Sequence, residues 1–230
     1  MSNIISIDTS TTYCSVALHQ NGKEVFALNL GLERASSSLL TTMIQTSIDQ
    51  VGIALADIDA FAVAAGPGSY TGLRVSTSTA KGLCFALDKP LIAVNTLEAM
   101  ARQVIPMTAA LMPNMLYVPM IDARRMEVYS AVYDASGDTI EEVTPVIVDE
   151  NSYAIWLEKG PVLFFGDGSA KCKEILSNSS NAYFLTKEIV PLASTVGEIA
   201  HERFVASQFE DIVTFEPFYL KAFMVKTKAN

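Results

Sequence analysis

The chain opens with an apolar run, Ile4-Ile5-Ser6-Ile7-Asp8, followed by a Ser/Thr-rich turn and a second run, Tyr13 to His19. Gln20-Asn21-Gly22 then leads into Val25-Phe26-Ala27-Leu28. Short apolar segments separated by polar turns predict an antiparallel meander of three strands. Asn-Gly suits the second turn, because both central residues of a type I′ hairpin need positive φ.

The pattern recurs. Leu116 to Asp122 is followed by a five-residue turn and Val128 to Tyr133, then Ser136-Gly137, and Thr139 to Val148 makes a third strand. Each first strand ends in Ile-Asp, and the two aspartates, Asp8 and Asp122, lie close to half the 230-residue chain apart. An α/β stretch follows each meander. In the first half a helix over about 36–52 precedes the buried strand Phe61 to Ala65, and Gly66-Pro67-Gly68-Ser69 turns into a helix over 70–87. In the second, Val162 to Phe165 is the strand, Gly166-Asp167-Gly168-Ser169 the turn and Ala170 to Leu176 the helix. Strand, glycine-rich turn and helix in that order are an α/β signature. The duplication predicts two like lobes, 1–105 and 106–230, in the architecture of the actin, sugar-kinase and Hsp70 class.

Composition narrows the function. Half the residues are apolar and 18% are charged, with a net charge of −9. That supports a full core and excludes wholesale disorder. The first 115 residues carry six basic and eight acidic groups and the remainder ten and seventeen, so no basic stripe offers itself to nucleic acid. Lys221, Lys226 and Lys228 are the one basic cluster, read as a solvated tail or as a nucleic-acid contact. No charged leader and no apolar run of about 20 residues is present, which predicts a cytoplasmic location and no membrane association. Three widely spaced cysteines, Cys14, Cys84 and Cys172, suit reduced thiols rather than a disulfide framework.

The catalytic inventory is thin. The histidines His19 and His201 stand far apart, no His-Glu-x-x-His or Gly-x-Ser-x-Gly motif occurs, and no catalytic or metal-ligating set emerges. Asp8 with Thr9, Ser10, Thr11 and Thr12 suits a Mg²⁺–phosphate site, which would make the chain an independent Mg-ATP-dependent kinase or ATPase. Equally, these groups can stabilise a tight turn. The matching turn Asp122-Ala123-Arg124-Arg125-Met126-Glu127 puts two arginines in place of small residues; they read either as an anion site or as a surface pair. Gly66 to Gly72 is either an anion-binding helix start or a capping turn packed on neighbouring backbone.

The first helix bears an apolar stripe, Leu39, Leu40, Met43, Ile44, Ile48 and Val51, opposite a face with one charge, Asp49. In the second, Gly72, Ser76 and Ala80 are spaced by four, as are Ser78, Gly82 and Ala86. The two helices read either as a partner-binding surface or as ordinary core.

Ile7-Asp8-Thr9-Ser10, Ala65 to Arg74, Lys81-Gly82-Leu83, Asp122 to Tyr129 and Pro217-Phe218-Tyr219-Leu220-Lys221 resemble the TsaB (YeaZ) family of bacterial tRNA threonylcarbamoyladenosine biosynthesis proteins. Many relatives carry a histidine near Arg34, absent here. The resemblance implies two RNase H-like lobes of the actin/sugar kinase/Hsp70 class, and a non-catalytic paralogue of the transferase TsaD. It implies TsaD binding and homodimerisation through the two helices, a face placed here on Leu39, Met43, Ile44, Gly72, Val75, Ser76, Thr79, Ala80 and Leu83. It further implies the ATPase TsaE as a partner, tRNA contact only within the complex, and no cofactor of the chain's own, with ATP and a metal on partner subunits. The implied reaction moves threonylcarbamoyl from threonylcarbamoyl-AMP to N6 of adenosine 37 in tRNAs reading codons that begin with A.

Overall fold

A computed structural model describes residues 2–31, 36–110, 112 and 114–219. Arg34, Leu220 and the lysines Lys221, Lys226 and Lys228 lie outside the described residues. The first sheet begins with the expected meander, β1 (Asn3–Asp8), β2 (Cys14–Gln20) and β3 (Lys23–Leu30). β4 (Ala60–Gly66) and β5 (Leu91–Asn95) then join in parallel, giving the order β3-β2-β1-β4-β5. The second sheet repeats it. β6 (Leu116–Asp122), β7 (Glu127–Tyr133) and β8 (Thr139–Ile147) form an antiparallel meander, with β9 (Val162–Phe165) and β10 (Ala182–Phe184) parallel beyond it, in the order β8-β7-β6-β9-β10. The two sheets share one topology, as the internal duplication predicts.

Alternation along the strands decides what covers each face. Ile5, Ile7, Phe61 and Val63 point into one core with Leu40, Met43, Ile44 and Ile48 of α1 (Ser36–Val51) and Ala80 and Cys84 of α2 (Tyr70–Leu87). Ile4, Ala60, Ala62 and Ala64 point the other way, onto Val196, Ile199 and Ala200 of α6 (Ala193–Val205). Both faces being covered explains why β1 and β4 read as nearly unbroken apolar runs. The three alanines of β4 present a low surface on which α6 can lie close.

α6 belongs to the second half of the chain yet covers the first sheet, so the 105/106 division separates the sheets but not the helices. Ser6 donates to the Ala193 carbonyl at 2.7 Å, and the Ala193 amide donates to Ser15 Oγ at 2.8 Å. α3 (Thr96–Thr108) lies between the sheets, with Ala99 in the α6 core and Leu97, Met100, Val104 and Ile105 against Tyr117, Leu163 and Phe165. Its start is capped by Asn95, whose side chain accepts from the Leu97 amide at 2.8 Å. Two ion pairs, Arg102–Glu202 at 2.9 Å and Arg203–Glu98 at 2.6 Å, join α3 to α6. Two shorter helices, α4 (Ala154–Leu157) and α5 (Ser169–Leu176), cover the far face of the second sheet with Trp156, Cys172 and Leu176.

The chain finally returns to the first lobe. The Glu210 amide donates to the Leu91 carbonyl at 2.9 Å and the Phe218 amide to that of Ala65 at 2.7 Å. Lys81 of α2 holds this segment through the carbonyls of Val213 (3.3 Å) and Phe215 (2.9 Å). Among the described residues no helix is long and apolar enough to cross a membrane.

Candidate functional site

Asp8 ends β1 almost wholly buried. Its Oδ1 accepts from the Ser10 amide at 2.8 Å and from Ser10 Oγ at 2.7 Å, an Asx turn. Oδ2 is buried with no hydrogen-bond partner among the described residues. Burial pushes the carboxyl up to about 6, and the two Ser10 bonds only partly oppose it.

The glycine-rich turn after β4 closes over this loop. Thr9 Oγ1 donates to the Gly72 carbonyl at 2.7 Å, and the Ser69 amide donates to the Ser10 carbonyl at 2.6 Å. A Cβ on Gly68 would lie 2.3 Å from the Ser10 carbonyl oxygen, and one on Gly72 would lie 1.8 Å from that of Thr9. Both glycines are therefore required by backbone approach. Thr11 Oγ1 accepts from the Tyr13 amide at 3.3 Å. Thr9, Ser10 and Thr11 all bond the chain itself, and Ser69 Oγ caps α2 by accepting from the Gly72 amide. These bonds tie Asp8, Thr9, Ser10 and Thr11 into a tight turn.

The second lobe has a counterpart. A Cβ on Gly166 (φ 96°) would lie 2.3 Å from the Met120 carbonyl oxygen, so this turn too sits hard against the end of its central strand. Lys171 of α5 pairs with Asp122 and donates to the Glu127 carbonyl at 2.7 Å. Burial alone would raise Asp122, but the Lys171 ammonium, the Arg124 amide and the Arg124 charge outweigh it and hold the carboxyl below its usual range. Asp167 accepts from the Asp122 amide at 2.9 Å. Arg124 and Arg125 cap the β6–β7 turn, both exposed.

The nine residues assigned to a partner face divide in two. Met43, Ile44, Gly72, Ser76 and Ala80 are buried inside the first lobe and present no side chain at its surface. The cause is packing: Ser76 and Ala80 keep the inner side of α2 slim, and Met43 and Ile44 are the inward ridge of α1. Leu39, Val75, Thr79 and Leu83 are half-exposed along the borders of the same helices. The outward positions are Ser38, Thr41, Thr42, Gln45, Asp49 and Gln50 on α1, and Thr71, Arg74, Ser78, Gly82, Phe85 and Ala86 on α2. Among them only Asp49 and Arg74 are charged, and Gln45 donates to Asp49 at 2.7 Å.

Phe85 stands 82% exposed on this face, and a Cβ on Gly82 would meet nothing within 4 Å. Val213, in the segment held by Lys81, is 83% exposed. Sequence reading missed Phe85 because it lies off the apolar stripe; a large aromatic among small and uncharged outward positions was the available signal. It also missed a cleft of about 470 Å³ beyond β4 and β5, lined by Asn95, Arg203 and the returning segment 215–219.

The histidines, distant in sequence, meet at the α6–meander contact. His19 is fully buried, and a Cβ on Gly197 of α6 would lie 2.2 Å from its ring; His201 packs likewise on Gly22. Cys14, Cys84 and Cys172 are all buried and unpaired, and burial pushes Cys14 and Cys84 up to about 11. They are unreactive small hydrophobes, as expected.

This geometry has relatives. A family model described as TsaD, tRNA N6-adenosine threonylcarbamoyltransferase, matches residues 31–227. The tRNA threonylcarbamoyladenosine biosynthesis protein TsaB of Escherichia coli strain K12 is 30% identical over 228 residues, which cover 95% of this chain and 94% of that one. The chain belongs to the TsaB family. A solved structure of YeaZ from Pseudomonas aeruginosa superposes with a TM-score of 0.79 at 26% identity, covering 96% of this chain and all of the other. An activator of 2-hydroxyisocaproyl-CoA dehydratase from Clostridium difficile, solved with bound ADPNP, matches at a TM-score of 0.51 and 12% identity over 90% of this chain and 97% of its own. That likeness concerns the fold alone, and with the repeated sheet order it puts this TsaB-family chain in the actin/sugar kinase/Hsp70 class.

Proposed function

We propose that this chain is a cytoplasmic, non-catalytic subunit of N6-threonylcarbamoyladenosine biosynthesis. It docks the catalytic paralogue TsaD through the outward face of α1 and α2, and the complex, with the ATPase TsaE, transfers threonylcarbamoyl to adenosine 37. ATP and metal chemistry reside on the partner subunits, and tRNA is met only in the complex. The same helical face serves homodimerisation of the free chain.

The observation that carries this reading is Phe85, a large aromatic side chain 82% exposed on α2. A large exposed apolar group gains from being covered; of the charged residues one turn from Phe85, Lys81 is already bonded to the Val213 and Phe215 carbonyls, and Asp88 and Lys89 stand at the helix end. Half-exposed Leu39, Val75, Thr79 and Leu83 extend the same surface. Family membership supports the pathway, through the names its relatives carry.

What favours docking over independent Mg-ATP chemistry is the first turn. Its hydroxyls bond the chain, and the Gly68–Gly72 backbone presses on Thr9 and Ser10, where a phosphate would have to enter. The test is binding of TsaD by calorimetry, with wild type and Phe85→Asp: the variant should keep its fold and lose TsaD.

A further inference from the structure

The turn between β6 and β7 holds two arginines in a backbone conformation that L side chains adopt only at a cost. Arg124 has φ 71° and Arg125 φ 53°. The β2–β3 turn also needs two consecutive positive φ values, and there the chain uses Asn21 (52°) and Gly22 (77°), the pair best suited to it. One chain thus solves one backbone problem twice, once with the relaxed pair and once with a strained one.

Nothing in the turn's bonding calls for arginine. The Ala123 amide donates to the Glu127 carbonyl at 3.0 Å, the Glu127 amide to the Arg124 carbonyl at 3.2 Å, and the Arg124 amide to Asp122 Oδ1 at 2.7 Å. All three bonds use backbone donors that any residue but proline supplies. Both side chains are exposed, and neither guanidinium makes a hydrogen bond or ion pair among the described residues. Asp122, the adjacent acid, is taken by Lys171, and Asp167 is committed to the Asp122 amide. The one return is the Arg124 charge, which adds to Lys171 in favouring ionised Asp122; that attraction needs neither two arginines nor their strained backbone, which points to a role for the side chains themselves.

We propose that Arg124 and Arg125 form an anion-binding tip that engages phosphodiester groups of the RNA substrate in the assembled complex. This rests on the role in tRNA modification proposed above, which supplies the RNA. Guanidinium forks match phosphate oxygens in a two-point geometry. Two side by side can serve neighbouring phosphates of one strand. On a chain of net charge −9 such a tip is where an RNA backbone can approach without repulsion.

The test replaces the strained pair by the relaxed one, Arg124→Asn with Arg125→Gly. The variant should melt at the wild-type temperature or above it. Assembled with TsaD and TsaE, it should bind unmodified tRNA about tenfold more weakly near 0.1 M salt, with the slope of log affinity against log salt reduced by about 1.5 to 2. Unchanged tRNA affinity and slope would overturn the proposal. So would a loss traced wholly to weaker TsaD binding, which would make the tip a contact for protein carboxylates. If the wild-type chain proves dispensable for transfer, it is the functional reading that fails. The isolated chain and its variant are then compared on a single-stranded RNA oligonucleotide at low salt: several-fold weaker binding by the variant upholds the tip, and equal binding overturns it.

Discussion

Thr9 and Gly72 are locked together: the Thr9 hydroxyl donates to the Gly72 carbonyl at 2.7 Å, and a Cβ on Gly72 would lie 1.8 Å from the Thr9 carbonyl oxygen. The β1–β2 turn and the start of α2 are thereby one unit, although more than sixty positions separate them. Gly72→Ala should destabilise the chain by about 3 kcal/mol or more, since backbone and not a flexible side chain must give way. Gly82→Ala, ten residues along the same helix and in open space, should stabilise it by up to about 1 kcal/mol. Chemical denaturation of the two variants reads both, and a harmless Gly72→Ala would refute the locked turn.

Position on the helices decides what a substitution does. Phe85→Asp should leave the melting temperature within a few degrees of wild type, because the ring is exposed. It should weaken TsaD binding at least about 30-fold, the loss of an interface anchor worth roughly 2 kcal/mol. Met43→Lys should instead unfold the first lobe, its side chain lying in the core beside Ile44 and Ile48. Thermal melts and calorimetry on the same two variants separate docking from packing.

Asp8 makes stability depend on pH. Its folded pKa of about 6 lies above the ordinary 3.8, so the native state holds a proton that the unfolded chain has released between those values. The contribution is fully present below pH 3.8 and is lost as pH rises through 6. Relative to Asp8→Asn, which does not titrate, wild type should gain about 2 kcal/mol between pH 7.5 and pH 4, most of what a shift of roughly two units at about 1.4 kcal/mol each supplies. Urea titrations across that range measure the difference, and parallel curves would contradict it.

His19 acts in the opposite sense. Burial between β2 and α6 lowers its pKa, with His201 adding to the effect and Glu24 opposing it, and neither ring nitrogen has a hydrogen-bond partner among the described residues. The folded chain prefers the neutral ring, so stability is present above the ordinary 6.5 and falls as pH drops toward the lowered folded value. The charged groups nearest this contact include Glu24, Glu198, Glu202 and Arg102. His19→Phe should remove the loss on mild acidification, followed as amide-exchange protection of α6 between pH 7 and 5.5.

Both meanders, α1, α2 and the two glycine-rich turns were legible in the sequence because each is a local pattern: alternation, a 3.6-residue stripe, or glycine at a strand end. α6 and the α3 bridge were not. Val196, Ile199 and Ala200 make sense only against Ile4 and the alanines of β4, nearly the whole chain away, and a periodicity shows that a helix has an apolar face without showing what covers it. The same blindness put Met43, Ile44, Gly72, Ser76 and Ala80 on a partner face when their side chains or backbone are buried inside the first lobe. The identity of the Asp8 turn turned on distances to Gly68 and Gly72 that spacing cannot reveal. Arg124 and Arg125 were visible as misfits in a turn, but their positive φ was not.

On the proposed reading, this chain acts by docking and not by chemistry of its own. A drop-out reconstitution addresses it most directly: threonylcarbamoyl transfer to unmodified tRNA by TsaD, TsaE and a source of threonylcarbamoyl-AMP, with wild-type chain, with Phe85→Asp, or without it. Product is expected with wild type, little with Phe85→Asp or with the chain omitted, and none from the chain alone. Full transfer in its absence, or transfer undiminished by Phe85→Asp, would contradict it.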